Sequence, residues 1–369
     1  MKRSLLLGTV LSLLLAACQP MAGSNTIKIG LIGPLTGDAA GLGADVLNGA
    51  KLAVDDINAA GGIDGKQIEL IAEDGKCAGA DAASAAQKLV NVDKVVAING
   101  GLCSGETLAA APIVEAGKIV LLSPTSSSPD VTDAGEFVFR NYPSDALKTV
   151  AMAKYFQEKG FTKVAIISEN TDFSQGFRDS LLSQLPAGAL VFNENVEPGT
   201  KDFRTLMTRL KDMDFDVFVP NGNSDAVIGP MVEQLREAGI TQPAVGHDAA
   251  DSVTMAKDLP EATNNLFVIN VASDVEEDSF SGKFTAKFGD PKYGISYAGY
   301  SYDVIQVLAK AIGEVGTDGT AMQKYLLDMP EYTGVVGTFS FDEKGDVIGI
   351  PYVLKEYKDG EIVTLGPLK

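Results

Sequence analysis

The chain has 369 residues, with 30 Lys and Arg against 49 Asp and Glu, a formal net charge of −19. So acidic a chain argues against nucleic acid as a partner and favours solubility. The length exceeds one typical core and implies two domains.

Residues 1–17 read as a signal peptide outside the fold. Lys2 and Arg3 form a basic start, 5–14 an apolar run, and Leu15-Ala16-Ala17 a small-residue cleavage site. The apolar run is shorter than the roughly 20 residues that span a bilayer. Leu15-Ala16-Ala17-Cys18 resembles the bacterial lipobox, in which the cysteine is lipidated. The alternative is a plain secretory signal with an incidental cysteine. Under the lipobox reading 18–25 is a polar tether, and Cys18 anchors an exported protein on the outer side of the cytoplasmic membrane or in the periplasm.

From Thr26 onward, buried-strand and helix signals alternate, which implies parallel sheets with helices on their faces. Strands are expected over 27–32, 67–73, 95–98, 119–122 and 137–141. Helices are expected over 44–60, stopped by Gly61-Gly62, over 81–92, and over 106–116. After Pro143 the alternation restarts. Helices over 146–159, 173–184, 203–211 and 226–238 interleave with strands over 163–168, 189–195, 217–219, 244–246 and 266–270. Helices over 279–288, 297–315 and 320–327 and short strands over 338–341, 352–357 and 362–365 end the chain.

The stretch 95–129 organises the rest. Strand, helix and parallel strand put the loops at 99–105 and 123–128 at the carboxyl end of one sheet, where open α/β sheets bind ligands. Ser104 is the expected N-cap of the intervening helix, whose free amides and positive end suit a carboxylate or phosphate. Two ordinary turns are the bland alternative. Cys77 and Cys103 each follow a predicted strand at that same edge. In an exported protein they read as one disulfide pinning the Ser104 loop.

Catalytic constellations are missing. The chain has no H-E-x-x-H, no P-loop and no G-x-S-x-G, and Gly41-x-Gly43 lacks the third glycine of a dinucleotide fingerprint. His247 is the only histidine, which rules out multi-histidine metal sites. No cofactor or metal is called for, and no enzyme activity is expected. The remaining enzyme hypothesis is a thiol hydrolase with Cys103 as nucleophile and His247 as base; a disulfide would remove it.

Several motifs together resemble one known family. They are Ile27-Lys28-Ile29-Gly30 with Gly33-Pro34-Leu35-Thr36-Gly37; Asn48-Gly49-Ala50-Lys51-Leu52-Ala53-Val54; and Ile57-Asn58-Ala59-Ala60-Gly61-Gly62. Leu102-Cys103-Ser104, Ser123-Pro124 and Phe341-Asp342-Glu343-Lys344-Gly345-Asp346 complete the set. The chain is similar in these to the periplasmic branched-chain amino-acid-binding proteins of ABC transporters, from Thr26 nearly to the C-terminus. The resemblance implies a type I periplasmic binding fold: two Rossmann-like α/β lobes with parallel sheets, joined by three crossovers. It implies a first lobe of 26–144 and 274–348 and a second of 145–273 and 349–369.

The resemblance also implies a site. N-lobe hydroxyls and amides would hold a ligand carboxylate, and Ser104, Thr125 and Ser127 fall at those positions. Asp248 falls where a C-lobe acid meets the ligand ammonium; the family often has Glu there. Phe173 fits an aromatic wall position. Leu42 stands where an aromatic is common, and Ser224 or Asp225 where a Tyr is common. Asn170, Asp172, Asn221 and Asn223 on nearby loops suit either a more polar ligand or ordinary turns. The implied partners are an amino acid and an ABC permease. A ligand-sensing module of the same fold is the alternative function; such modules usually sit beside a signalling or membrane domain.

Overall fold

The computed structural model describes residues 26–272 and 279–368. The expected signal peptide, Cys18 and the tether lie outside the described residues, as does the expected lobe boundary at 273–274.

The first lobe is built on β1 (Thr26–Gly33), β2 (Gln67–Asp74), β3 (Ala97–Asn99), β4 (Val120–Ser123) and β5 (Val138–Arg140). The sheet order is β2-β1-β3-β4-β5, with every neighbour parallel. Helices α1 (Ala40–Ala59), α2 (Gly79–Lys88) and α3 (Ser104–Gly117) connect the strands. Both sheet faces are covered, so its strands are apolar on both sides. Ile29 and Leu31 pack among Val46, Ala50, Val304 and Leu308 on one face. Ile32, Ile98 and Leu121 pack among Ala82, Leu89 and Ala110 on the other. Each such side chain contributes roughly 1.5–3 kcal/mol by leaving water.

The second lobe follows as α4 (Asp145–Lys159), β6 (Val164–Glu169), α5 (Asp172–Gln184), β7 (Leu190–Val196), α6 (Arg204–Lys211), β8 (Val217–Asn221) and α7 (Asp225–Glu237). Then come β9 (Ala244–Gly246), α8 (Val253–Asp258) and β10 (Leu266–Val271). Ser144 caps α4, its hydroxyl accepting from the Ala146 amide at 3.3 Å, and Gly160 ends it in the left-handed region at φ 73°.

Helices α9 (Ser279–Phe288), α10 (Ile295–Val315) and α11 (Gly319–Leu327) return to the first lobe. Helix α10 lies against α1, and Gly49 permits the approach. A Cβ at Gly49 would stand 2.0 Å from the Ala298 carbonyl oxygen. Strands β11 (Tyr332–Gly334), β12 (Gly337–Phe341) and β13 (Val347–Ile348) form a small antiparallel sheet. Its β12–β13 turn sits beside β5, where the Arg140 amide donates to Gly345 O at 3.0 Å.

The chain then crosses back for β14 (Tyr352–Lys358) and β15 (Glu361–Pro367). The second sheet runs β15-β14-β10-β9-β8-β6-β7. Strands β6 to β10 are parallel; β14 is antiparallel to both β10 and β15. That mixed edge adds to the parallel pattern the sequence predicts. The chain therefore changes sheet three times: after β5, after β10 and after β13.

The lobes touch across the cleft between them. Lys201 Nζ meets Asp38 Oδ2 at 2.9 Å. The Asp225 amide donates to Tyr293 Oη at 2.8 Å, and Thr254 Oγ1 donates to Lys292 O at 3.1 Å. Among the described residues no helix is long and apolar enough to cross a membrane.

Candidate ligand-binding site

Between the lobes lies a cavity of ≈ 40 Å³. A single water needs roughly 10–15 Å³ on this measure, so the space is larger than one water. The first lobe contributes Leu42, Leu102, Cys103, Ser104 and Thr125, with Tyr293 from the loop before α10 and Tyr297 from its first turn. The second lobe contributes Phe173, Asn223, Asp248 and Ala249.

Five expected site residues, Leu42, Ser104, Thr125, Phe173 and Asp248, thus share one cavity. Three do not line it. Ser127 is fully buried and its hydroxyl donates to Asp145 Oδ2 at 2.9 Å. Ser224 lies on the outer mouth, with Asp38, Lys76 and Asp172. Asp225 is held by Tyr293 and accepts from Ser252 Oγ at 2.6 Å. Tyr293 and Tyr297 were not expected. Their spacing of four, at the start of a helical pattern, was the available signal, and an apolar core explains such a spacing equally well.

The N-cap of α3 is Cys103, not Ser104. Ser104 is the first helical residue, and its amide and that of Gly105 have no intrahelical acceptor. The Ser104 oxygen accepts from the Ser128 amide at 3.1 Å. Among the described residues no acceptor takes its own proton, which can be donated to a ligand. Thr125 is the opposite case: its hydroxyl donates to Leu102 O at 2.7 Å. Toward a ligand Thr125 Oγ1 is therefore an acceptor.

Cys77 and Cys103 form a disulfide across 26 residues, with Cα atoms 5.2 Å apart. The bond leaves Cys103 without a thiolate to attack a substrate, so the hydrolase hypothesis loses its nucleophile. Beside it, the buried Glu106 carboxylate accepts from the amides of Leu102, Cys103 and Cys77 at 2.9–3.0 Å. Burial pushes this carboxyl up to about 7, against the pull of those three amides. Disulfide and carboxylate together fix the loop that carries Ser104. Replacing both Cys77 and Cys103 by Ser is expected to lower stability by about 3 kcal/mol, through loop entropy returned to the unfolded chain. Denaturant titration reads the loss. Thiol counting on unreduced, denatured protein should find neither Cys77 nor Cys103 free.

His247 is fully buried between Phe173 and Phe177, with ring centroids 4.9 and 4.6 Å away. Its Nδ1 accepts from the Ala249 amide at 3.3 Å. Asn221 spends its Nδ2 on Ser168 Oγ and Ser174 O, so its Oδ1, 3.0 Å from His247 Nε2, accepts. The ring is therefore neutral with its proton on Nε2. Burial holds its pKa down to about 4, from 6.5. Because the folded value is depressed, this contribution to stability is full above pH 6.5 and is lost as pH falls through 4. The difference is worth about 3 kcal/mol. As the single histidine, its ring resonance should titrate near pH 4 in folded protein. A midpoint near 6.5 would contradict the burial argument.

Asp248 binds the buried Lys148 through Oδ1, and Lys148 Nζ also lies 2.7 Å from Asp145 Oδ1. Burial alone would raise the Asp248 pKa; Lys148 outweighs it and draws the carboxyl below its usual value. The site thus has a charged acid on one wall and a free hydroxyl donor with helix amides on the other. It has no nucleophile paired with a base.

Two α/β lobes closed on a small polar-ended cavity describe a solute-binding protein. Sequence comparison agrees: the family described as "Periplasmic binding protein" matches residues 26–361, and the chain belongs to it. The "Amino acid binding protein" of Pseudomonas aeruginosa is 31% identical over 342 residues, covering 90% of each chain. The "Leu/Ile/Val-binding protein" of Escherichia coli K12 is 30% identical over 351 residues, covering 92% of this chain and 94% of its own. Among solved structures, the branched-chain amino acid transporter substrate binding protein LivJ of Streptococcus pneumoniae, in complex with isoleucine, superposes with a TM-score of 0.83. It is 30% identical and covers 93% of this chain and 98% of its own. The fold is the type I periplasmic binding fold expected from the sequence.

Proposed function

We propose that this protein is the extracytoplasmic substrate-binding lipoprotein of an ABC importer, and that it carries an amino acid of branched-chain type or a more polar relative. One observation supports the reading above others. Ser104, with its proton free, and Asp248, held ionised, line the same small cavity from opposite lobes. In this reading Ser104 and the first α3 amides take the ligand carboxylate, aided by the positive helix end. Asp248 and the accepting oxygen of Thr125 take the ammonium. Leu42, Leu102, Phe173 and the two tyrosines enclose the side chain. Ser127 braces Asp145 and touches no ligand, which revises its expected role.

A ligand that bridges both lobes binds the closed form more tightly and shifts the population toward it. The closed shape is then what a permease recognises, and no bond is made or broken. Thermal-shift screening against single amino acids, dipeptides and short amides tests the reading. At 100 times Kd a ligand adds about 2.7 kcal/mol and raises Tm. Stabilisation by amides or dipeptides and by no amino acid would overturn it. Lipid anchoring is tested separately: Cys18→Ser is expected to abolish lipid labelling and release a soluble, binding-competent protein. Unchanged membrane retention would refute the anchor.

A further inference from the structure

We propose that Lys148 is a positioning residue for ligand recognition: it holds Asp248 in place as a carboxylate, so that the cavity can read a ligand ammonium at any ordinary pH. The proposal rests on the amino-acid reading above and assigns a role to a side chain outside the cavity.

Lys148 stands in the first turns of α4 and is fully buried. A buried ammonium needs partners, and this one has two acids. Asp145, one turn earlier, approaches at 2.7 Å, and Asp248 comes from the loop after β9. The ammonium also lies 5.5 Å from the centre of the Tyr142 ring. Of the three charged groups only Asp248 reaches the cavity wall. Asp145 is turned away, its Oδ2 occupied by the Ser127 hydroxyl of the first lobe.

The groups facing Asp248 are few. Lys148 and the His247 ring both approach Oδ1, leaving Oδ2 without a side-chain donor among the described residues. Tyr297 Oη donates to the Asp248 backbone oxygen at 2.9 Å, the Tyr142 and Tyr352 phenols feel the Asp248 charge, and Asp145 shares Lys148 with it. His247 is neutral above pH 4, so Lys148 is the cation that stabilises the Asp248 charge. Two acids and one lysine leave the cluster with one surplus negative charge while Asp145 is ionised, and burial pushes the Asp145 carboxyl up to about 6, so the surplus is present above that pH. That surplus attracts a ligand cation even though the lysine is present. Without Lys148, two buried carboxylates would stand together, and one would take up a proton. The cation that offsets the burial of Asp248 would be gone, so its carboxyl would rise from its lowered value.

A lysine that only supports the fold would weaken every ligand equally and at every pH. A positioning lysine changes which ligand feels the loss and at what pH. Calorimetry on the full-length protein, with L-valine and its deaminated analogue 3-methylbutanoate, separates these outcomes. Wild type should bind valine with an affinity that changes far less between pH 8 and pH 5 than that of Lys148→Met, its residual slope being the loss of the Asp145 charge through about pH 6. Lys148→Met should bind valine at least tenfold more weakly at pH 5 than at pH 8, while 3-methylbutanoate shows no such slope. Asp145→Asn keeps the Lys148–Asp248 pair, removes the Asp145 titration and should be flat from pH 8 to pH 5, which tests the idea even if Lys148→Met does not fold. A flat Lys148→Met profile, a slope shared by both ligands, or a slope in Asp145→Asn would each overturn the proposal. Wild type that binds no valine would overturn the amino-acid reading itself and this inference with it. Wild type that binds valine beside an indifferent Lys148→Met would overturn only the inference.

Discussion

Asp248→Asn is expected to weaken binding of a zwitterionic amino acid by roughly 10- to 150-fold, and to leave its deaminated analogue nearly unaffected. The range follows from losing one charge-assisted hydrogen bond, about 1.5–3 kcal/mol, inside a closed cleft. Asparagine keeps the shape of the side chain but not its charge, so the ligand ammonium loses its counter-ion. Lys148 keeps Asp145 as a partner, so the fold should survive the change. Ser104→Ala is the companion variant. It removes the free hydroxyl donor, which both ligands would use, and should weaken both alike. Calorimetry on the two variants with the two ligands gives four values. Equal losses at Asp248 for both ligands would show that this acid does not read the amine.

Arg140→Leu is expected to destabilise the protein by about 3–5 kcal/mol, the scale of a buried ion pair left with one partner. Arg140 is fully buried at the end of β5 and uses its whole guanidinium fork. Nε and Nη2 donate to the two oxygens of Asp346 at 2.6 and 2.7 Å. Nη1 donates to Ser128 O at 2.8 Å, and Nη2 to Thr132 Oγ1 at 2.7 Å. Leucine fills part of the volume but removes the counter-ion of Asp346, which keeps only the Thr132 hydroxyl as a side-chain donor, and one of the two donors to the Ser128 carbonyl. The same carbonyl belongs to the loop that carries Thr125, so ligand affinity should fall as well. Lysine should rescue little, because a point charge cannot reproduce the paired geometry. Urea unfolding of Arg140→Leu and Arg140→Lys checks both statements. A loss under 1 kcal/mol would mean that the pair with Asp346 contributes no more than a surface bridge.

The pair also explains a motif. Phe341-Asp342-Glu343-Lys344-Gly345-Asp346 reads in the sequence as a turn and as part of a family resemblance. In the fold it delivers Asp346 to Arg140 across 206 positions. The Asn48-Gly49-Ala50 motif likewise acquires a physical reason, since α10 leaves no space for a Cβ at Gly49.

Local chemistry determined much of this protein before any folding. Runs such as Ile29–Ile32 and Val120–Leu122 carry no polar side chain, which specifies strands buried on both faces, and glycines and prolines mark where they stop. The alternation of such runs with helical periods specifies parallel sheets. Parallel sheets in turn bring the 99–105 and 123–128 loops to one edge, which is why Ser104 was legible; Thr125 was singled out through the family resemblance. Cys77 and Cys103 were legible for the same reason as Ser104.

Tertiary structure alone decided what covers each face. Periodicity places Lys148 on a helix but not beneath a second element, and a lysine at that position reads as solvated. Only the return of β9 places Asp248 against it, 100 residues later. Ser127 and Thr125 look equivalent in sequence, yet one hydroxyl is consumed by Asp145 and the other lines the cavity. Tyr293 reaches Asp225 only because α10 crosses back to the first lobe after the second is built. A side chain's neighbours along the chain set its backbone conformation. Its partners in space set its charge and its hydrogen bonds, and those are settled only when the crossovers close the cleft.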